Sequence, residues 1–142
     1  MLPSVEYLGH CISGDGIRPT EEKRQAIVNA PVPQDVSQLK SFLGLVNYYS
    51  TFLPCLSDTL APLYRLLAKH QKWCWGTEQA KAFHKAKSQL ASDLLLVHFD
   101  PRNKIALSCD ASPYGIGAVL SHIFEDGSER PIAYASHSLA EE

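Results

Sequence analysis

ALSCDASPYGIGAVL, residues 106–120, sets a carboxylate at the end of an apolar run, then a turn, then a second run of small and apolar residues. The alternation in KIALSCD puts Ile105, Leu107 and Cys109 on one face of a strand and Ala106, Ser108 and Asp110 on the other. Pro113 and Gly115 interrupt the run, and IGAVLSHIF (116–124) resumes it as a second strand. The Asp-Gly pair inside EDGS (125–128) signals a hairpin, because glycine takes the positive φ that such turns need. RPIAYAS (130–136) then gives a third antiparallel strand, and LLLVHF (94–99) precedes all three as a short buried run. SLAEE (138–142) reads as the first turn of a further helix capped by Ser138. Three strands with no cover on one face are marginal alone, so an incomplete domain is expected.

Upstream of residue 94 the period changes. SVEYLGHCISGDGIRP (4–19) predicts a strand, a tight turn at Gly14–Gly16 and a short return. Thr20 is placed to cap a helix over 21–29, with Glu21 and Glu22 in the first turn where acids suit the helix dipole. Asp35 caps a second helix with Gln38 three residues on, and Val36, Leu39, Phe42, Leu43 and Val46 recur at helical spacing. Tyr48, Tyr49, Phe52 and Leu53 extend its apolar material to Pro54. A third helix is expected through Leu60, Leu63, Leu66 and Leu67 with Pro62 in its first turn, where proline is tolerated, and a fourth runs from Thr77 through Ala80, Phe83, Ala86 and Leu90. Trp73 and Trp75, two residues apart between these helices, are expected to seal the helical cluster. The expected class is α+β: an N-terminal β-hairpin, a four-helix region and a three-stranded antiparallel sheet.

Composition agrees with a globular protein. The chain has 142 residues, 45% of them hydrophobic and 20% charged. No apolar run approaches the roughly 20 residues that cross a bilayer, and the N-terminus lacks a basic region followed by an apolar stretch. A soluble intracellular protein without a membrane partner is expected, in cytoplasm or nucleus. Cys11, Cys55, Cys74 and Cys109 form no C-x-x-C pair and are read as reduced, small buried hydrophobes. Residues 1–92 carry ten Lys/Arg against seven Asp/Glu, and residues 93–142 carry three against eight, so a net +3 part precedes a net −5 part. That asymmetry suits one region for a polyanion and one for metal cations, and equally suits two ordinary solvated surfaces.

YLGH (7–10), GIRPTEEKRQAI (16–27), SFLGLVNYYSTFLP (41–54), APLYRLL (61–67), WGTEQAKAFHKAK (75–87), DASPYGIGAVLSH (110–122) and RPIAYASHSL (130–139) together resemble the polymerases of gypsy-class long-terminal-repeat retrotransposons. The likeness runs over almost the whole chain in the right order. It implies that residues 1–68 are the end of the reverse transcriptase palm, with a primer-grip-like hairpin, and thumb-like helices. Residues 69–142 are then the N-terminal part of a ribonuclease H-like domain, truncated after its third strand. By position, Leu8, Gly9 and His10 are implied to approach the primer backbone, and Asp110 to be the first metal-binding carboxylate of the ribonuclease H site. The implied cofactor is Mg²⁺, and the implied partner is an RNA/DNA hybrid or primer-template.

The chain does not spell out either catalytic centre that the resemblance implies. It contains no Asp-Asp dipeptide for the polymerase site. It also stops before the further carboxylates of the ribonuclease H site, and Glu141 and Glu142 match surface residues ahead of the catalytic glutamate. Two-metal hydrolysis holds ions about 3.5–4 Å apart around one phosphate and needs several carboxylates. Asp110 alone is expected to hold one ion weakly at best, so stable Mg²⁺ binding is not expected. Asp100, Glu125, Asp126 and Glu129 lie at a strand end or on the turn at the opposite edge. The plain structural role for Asp110 is to accept hydrogen bonds from the Ser112 region and close the turn. Lys81 and Lys85, one helical turn apart, with Lys69 and Lys72, are candidate phosphate contacts or simply solvated cations. The six histidines share no face that suggests a metal site.

The expectation is a fragment of a reverse transcriptase and ribonuclease H polyprotein without either activity as an isolated chain. The alternative is a domesticated module that binds nucleic acid or protein without catalysis. A protein partner is expected through the exposed edge of the third strand, RPIAYAS, whose outer backbone groups are open to pairing.

Overall fold

The computed structural model describes residues 3–92 and 94–139. The extended N-terminal stretch breaks twice, giving β1 (Val5–Tyr7), β2 (His10–Ser13) and β3 (Gly16–Pro19) in an antiparallel sheet of order β1-β2-β3. The second break, at Gly14–Asp15, is the expected hairpin. The first falls inside YLGH, where Leu8 and Gly9 take φ of 50° and 80°. Two successive positive φ values are what a two-residue hairpin turn requires, so a single expected strand becomes two.

The helices form where capping and spacing direct them. Thr20 Oγ1 accepts the Lys23 amide at the head of α1 (Glu21–Val28), and Asp35 Oδ1 accepts the Gln38 amide at the head of α2 (Val36–Tyr48). The Gln38 side chain accepts from the Gln34 amide instead of closing a capping box on Asp35. A 3₁₀ turn, Ser50–Phe52, leads to α3 (Leu56–Arg65), and α4 spans Thr77–Ala91. Pro62 is the seventh residue of α3, not in the first turn, because the helix starts at Leu56 and recruits Leu56 and Ser57 into the buried set. The Asp58 carbonyl, four residues back, therefore lacks its usual intrahelical donor.

One core cluster draws on all four helices and both sides of residue 68, from Ile27 through Leu39, Leu53 and Leu63 to Phe83 and Leu96. Trp73 and Trp75 stack at 5.9 Å and pack against it, and Trp75 meets Phe83 edge-on at 5.7 Å, as a sealing role predicts. Of the LLLVHF run only Leu96 is fully buried. It exchanges backbone hydrogen bonds of 2.8 and 2.9 Å with Ile17 as an isolated bridge, which ties this connection to β3.

The second sheet has the order β4-β5-β6, antiparallel throughout, from β4 (Lys104–Ala111), β5 (Gly115–Ile123) and β6 (Glu129–Ser138). The 125–128 turn closes through the Phe124 amide to the Ser128 carbonyl at 2.9 Å, with Gly127 at φ 85°. The face carrying Val119 and Tyr134, partners across β5 and β6, turns toward the helices, and Tyr134 packs on the core cluster. On the opposite face Ile105, Leu107 and Ile116 remain 56%, 67% and 47% exposed. β6 is an edge strand as expected, but it is not bare. The Val97 amide reaches the Pro131 carbonyl at 2.9 Å, and α3 and the 3₁₀ turn lie against the strand. β4 is the other edge and is exposed at every residue except Ala106. Ser138 ends β6; the helix expected after it lies outside the described residues.

The cysteines depart from expectation. All four are free, but Cys55, Cys74 and Cys109 are exposed and Cys11 is half-buried. Cys55 sits at φ 53° before α3, and Cys109 lies on the open strand β4, so position and not residue hydrophobicity decides their exposure.

Candidate nucleic-acid interface and carboxylate site

Two places bring the sequence candidates into view. The first is the Leu8–Gly9 turn. Leu8 is 66% exposed and Tyr7 beside it 64%, so the turn projects its side chains outward. Its carbonyls face the end of α2. The Tyr48 hydroxyl donates to the Leu8 carbonyl, and the Tyr49 hydroxyl donates to the Gly9 carbonyl at 3.0 Å. The Gly9 carbonyl also accepts the Thr20 amide at 2.9 Å. Burial raises the Tyr49 hydroxyl above the usual phenol range, with Tyr48 adding to the shift, so it stays a donor. A Cβ on Gly9 would lie 2.6 Å from Tyr49 Oη, so glycine is required both for φ and for room.

His10 follows the turn among aromatic rings. It stacks on Phe52 at 5.6 Å and approaches Tyr48 and Tyr49 at 5.5 and 5.7 Å. A groove of about 330 Å³ runs past these rings and is lined by Tyr7, Leu8, His10, Tyr48 and Phe52 among others. Leu8, Gly9 and His10 are thus together, while Lys81 and Lys85 lie on the exposed face of α4. Tyr48 and Tyr49 lie in the apolar stretch that ends α2, yet their hydroxyls are hydrogen-bonding groups that seek partners, and this is the signal in the sequence that points to the turn.

The second place is the end of β4. Asp110 is exposed, and its Oδ1 accepts the Ala111 amide at 2.9 Å. It does not close the turn that follows. Ser112 does so: its amide donates to the Gly115 carbonyl at 2.8 Å, and its Oγ accepts the Tyr114 and Gly115 amides at 3.1 and 3.2 Å. The Ser112 hydroxyl then donates to Asp58 Oδ1, in the first turn of α3. Asp58 and Asp110 line one small cavity of about 30 Å³ between α3 and the sheet. Asp58 was not a sequence candidate, because 52 residues separate it from Asp110 and only the docking of α3 on β5 and β6 brings them to one place.

Other acids are engaged elsewhere. Asp100 takes three side-chain bonds from Arg102, Nε to Oδ1 at 3.0 Å and to Oδ2 at 3.2 Å and Nη2 to Oδ2 at 2.8 Å, and the Arg102 guanidinium holds its carboxyl down to about 2. The Asp100 amide donates to His122 Nε2 at 2.8 Å, which makes Nδ1 the protonated nitrogen that donates to the Lys104 carbonyl at 3.1 Å. Asp126 accepts the Ser128 amide and hydroxyl, which lower its pKa. Among the described residues no group of three or more His, Cys, Asp or Glu side chains converges on one point. Two carboxylates, one of them bound to a serine hydroxyl, do not fit a pair of divalent ions. They leave room for at most one ion with waters completing its shell. Among the described residues no helix is long and apolar enough to cross a membrane.

Residues 75–142 match the model of the RNase H-like domain found in reverse transcriptase. The Transposon Tf2-3 and Tf2-4 polyproteins of Schizosaccharomyces pombe (strain 972 / ATCC 24843) are each 36% identical over 136 residues, covering 96% of this chain and 10% of the polyprotein. The chain thus spans about a tenth of the length of these curated relatives. Among solved structures, the foamy viral protease-reverse transcriptase in complex with double-stranded DNA superposes with a TM-score of 0.78 at 29% identity, over 96% of this chain and 24% of that one. The same viral protein in complex with an RNA/DNA hybrid gives 0.75 at 29% identity, over 96% and 19%.

Proposed function

Because the chain belongs with the gypsy-class retrotransposon polyproteins, as a reverse transcriptase and ribonuclease H-like segment, we propose that it is a nucleic-acid-facing scaffold that hydrolyses nothing on its own. In this reading residues 1–68 are the palm end and thumb-like helices, and residues 69–142 begin the ribonuclease H-like part. The Leu8–Gly9 turn and His10 meet the backbone of a primer strand in a primer-template or RNA/DNA hybrid, and Lys81 and Lys85 add phosphate contacts. Support comes from the solved relatives, which are complexes with double-stranded DNA and with an RNA/DNA hybrid. Asp110 stands where the family's metal-dependent chemistry begins, and Mg²⁺ there would supply charge neutralisation at a phosphate.

The observation that carries the proposed absence of hydrolysis is the Asp110 carboxylate itself: among the described residues the acid that shares its cavity is Asp58, already held by Ser112. The same sheet, open at β4, is proposed to take a protein partner. Incubation of the 142-residue chain with a labelled RNA/DNA hybrid and Mg²⁺ is the test. The expected result is no cleavage by the chain or by Asp110→Asn. Turnover by the chain that the Asp110→Asn substitution abolishes would overturn the proposal.

A further inference from the structure

The Leu8–Gly9 turn is held by the short β1–β2 pairing, by the Thr20 amide and by the end of α2. β1 is three residues long and exposed throughout, and short strand pairings of this kind are marginal in water. Leu8 adopts a left-handed φ of 50°, a conformation that strains a non-glycine residue. Against this stand hydrogen bonds to two consecutive carbonyls from two consecutive side chains. The Gly9 carbonyl alone joins three elements: the turn that carries it, the cap residue of α1 through the Thr20 amide, and the end of α2 through Tyr49.

We propose that Tyr48 and Tyr49 are positioning residues: by holding the Leu8 and Gly9 carbonyls, they lock the turn to the C-terminal end of α2 so that turn and helix move as one body. This rests on the reading of the turn as the element that meets the primer strand, and adds what sets its place. The carbonyls are committed inward while Tyr7 and Leu8 stay outward, so the face the turn offers to a nucleic acid is set by its bonds to the end of α2. The ring contacts of His10 with Phe52, Tyr48 and Tyr49 carry the same lock into β2.

The test is amide hydrogen exchange on the 142-residue chain and its Tyr48→Phe, Tyr49→Phe and double variants, with affinity for a primer-template RNA/DNA hybrid measured alongside. Phenylalanine keeps the ring and removes only the hydroxyl. Each lost hydrogen bond is expected to speed exchange at His10 and Thr20 about two- to tenfold, while the Phe83 and Leu90 amides in α4 keep their rates. Hybrid affinity is expected to fall in the same order, with the double variant weakest. Tyr48 is 52% exposed, so Tyr48→Phe carries the test if Tyr49→Phe loses its fold. Unchanged exchange at the turn, or a uniform rise that includes α4, would overturn the positioning role. Exchange that rises only at the turn while hybrid affinity stays level supports positioning and counts against the primer contact, so the two readings fail separately.

Discussion

At the scale of single residues, small chemical features decide geometry that the whole site depends on. Gly9→Ala adds a methyl 2.6 Å from the Tyr49 hydroxyl at a φ of 80°, and urea denaturation should show a loss of about 1–3 kcal/mol. Asp100 sets a pH dependence whose sign follows from its pairing with Arg102. Its carboxyl titrates near 2 in the fold against an ordinary value of 3.8, so its stabilising contribution is present above the ordinary value and is lost as pH falls through about 2. The gap in melting temperature between the wild type and Asp100→Asn should therefore be level above about pH 5 and close as pH approaches 2. A gap that widened on acidification would contradict the pairing.

Elements show best what the sequence discloses and what it conceals. Helices with a side-chain cap and a regular apolar spacing, such as α2 behind Asp35, were legible because both signals are local. The three strands of the second sheet were legible for the same reason, since alternation and the Asp-Gly turn lie within one stretch. The break at Leu8–Gly9 was not, because leucine rarely accepts positive φ and the bonds that hold it come from 40 residues away. The start of α3 was also missed: Cys55 and Pro54 offer no capping side chain, and burial of Leu56 against the cluster decides it. Asp110 was legible as the candidate carboxylate, whereas Asp58 and Ser112 became neighbours only through the docking of α3. That docking is tight at Gly115, where a Cβ would lie 2.6 Å from the Ser57 Cβ and 2.8 Å from the His137 carbonyl. Gly115→Ala should cost about 1–3 kcal/mol by forcing the helix and sheet apart, read as a lower urea midpoint.

For the whole molecule, the helices and two sheets share one core, and what remains open is a face and an edge. Ile105 and Leu107 on β4 and Ile116 on β5 form an apolar surface that water does not favour, beside an edge strand exposed along nearly its entire length. Sedimentation over a wide concentration range should show association that Leu107→Lys suppresses, with stability unchanged within about 0.5 kcal/mol because the residue is exposed. A monomer at every concentration would remove the sheet as a partner surface.

Among the described residues, no set of acidic side chains is arranged to hold two divalent ions together. Electron paramagnetic resonance of Mn²⁺ titrated into the chain with a bound RNA/DNA hybrid counts those ions directly. The account predicts at most one weakly held ion, lost in Asp110→Asn. Two tightly bound ions with the spin coupling of a pair about 4 Å apart would contradict it.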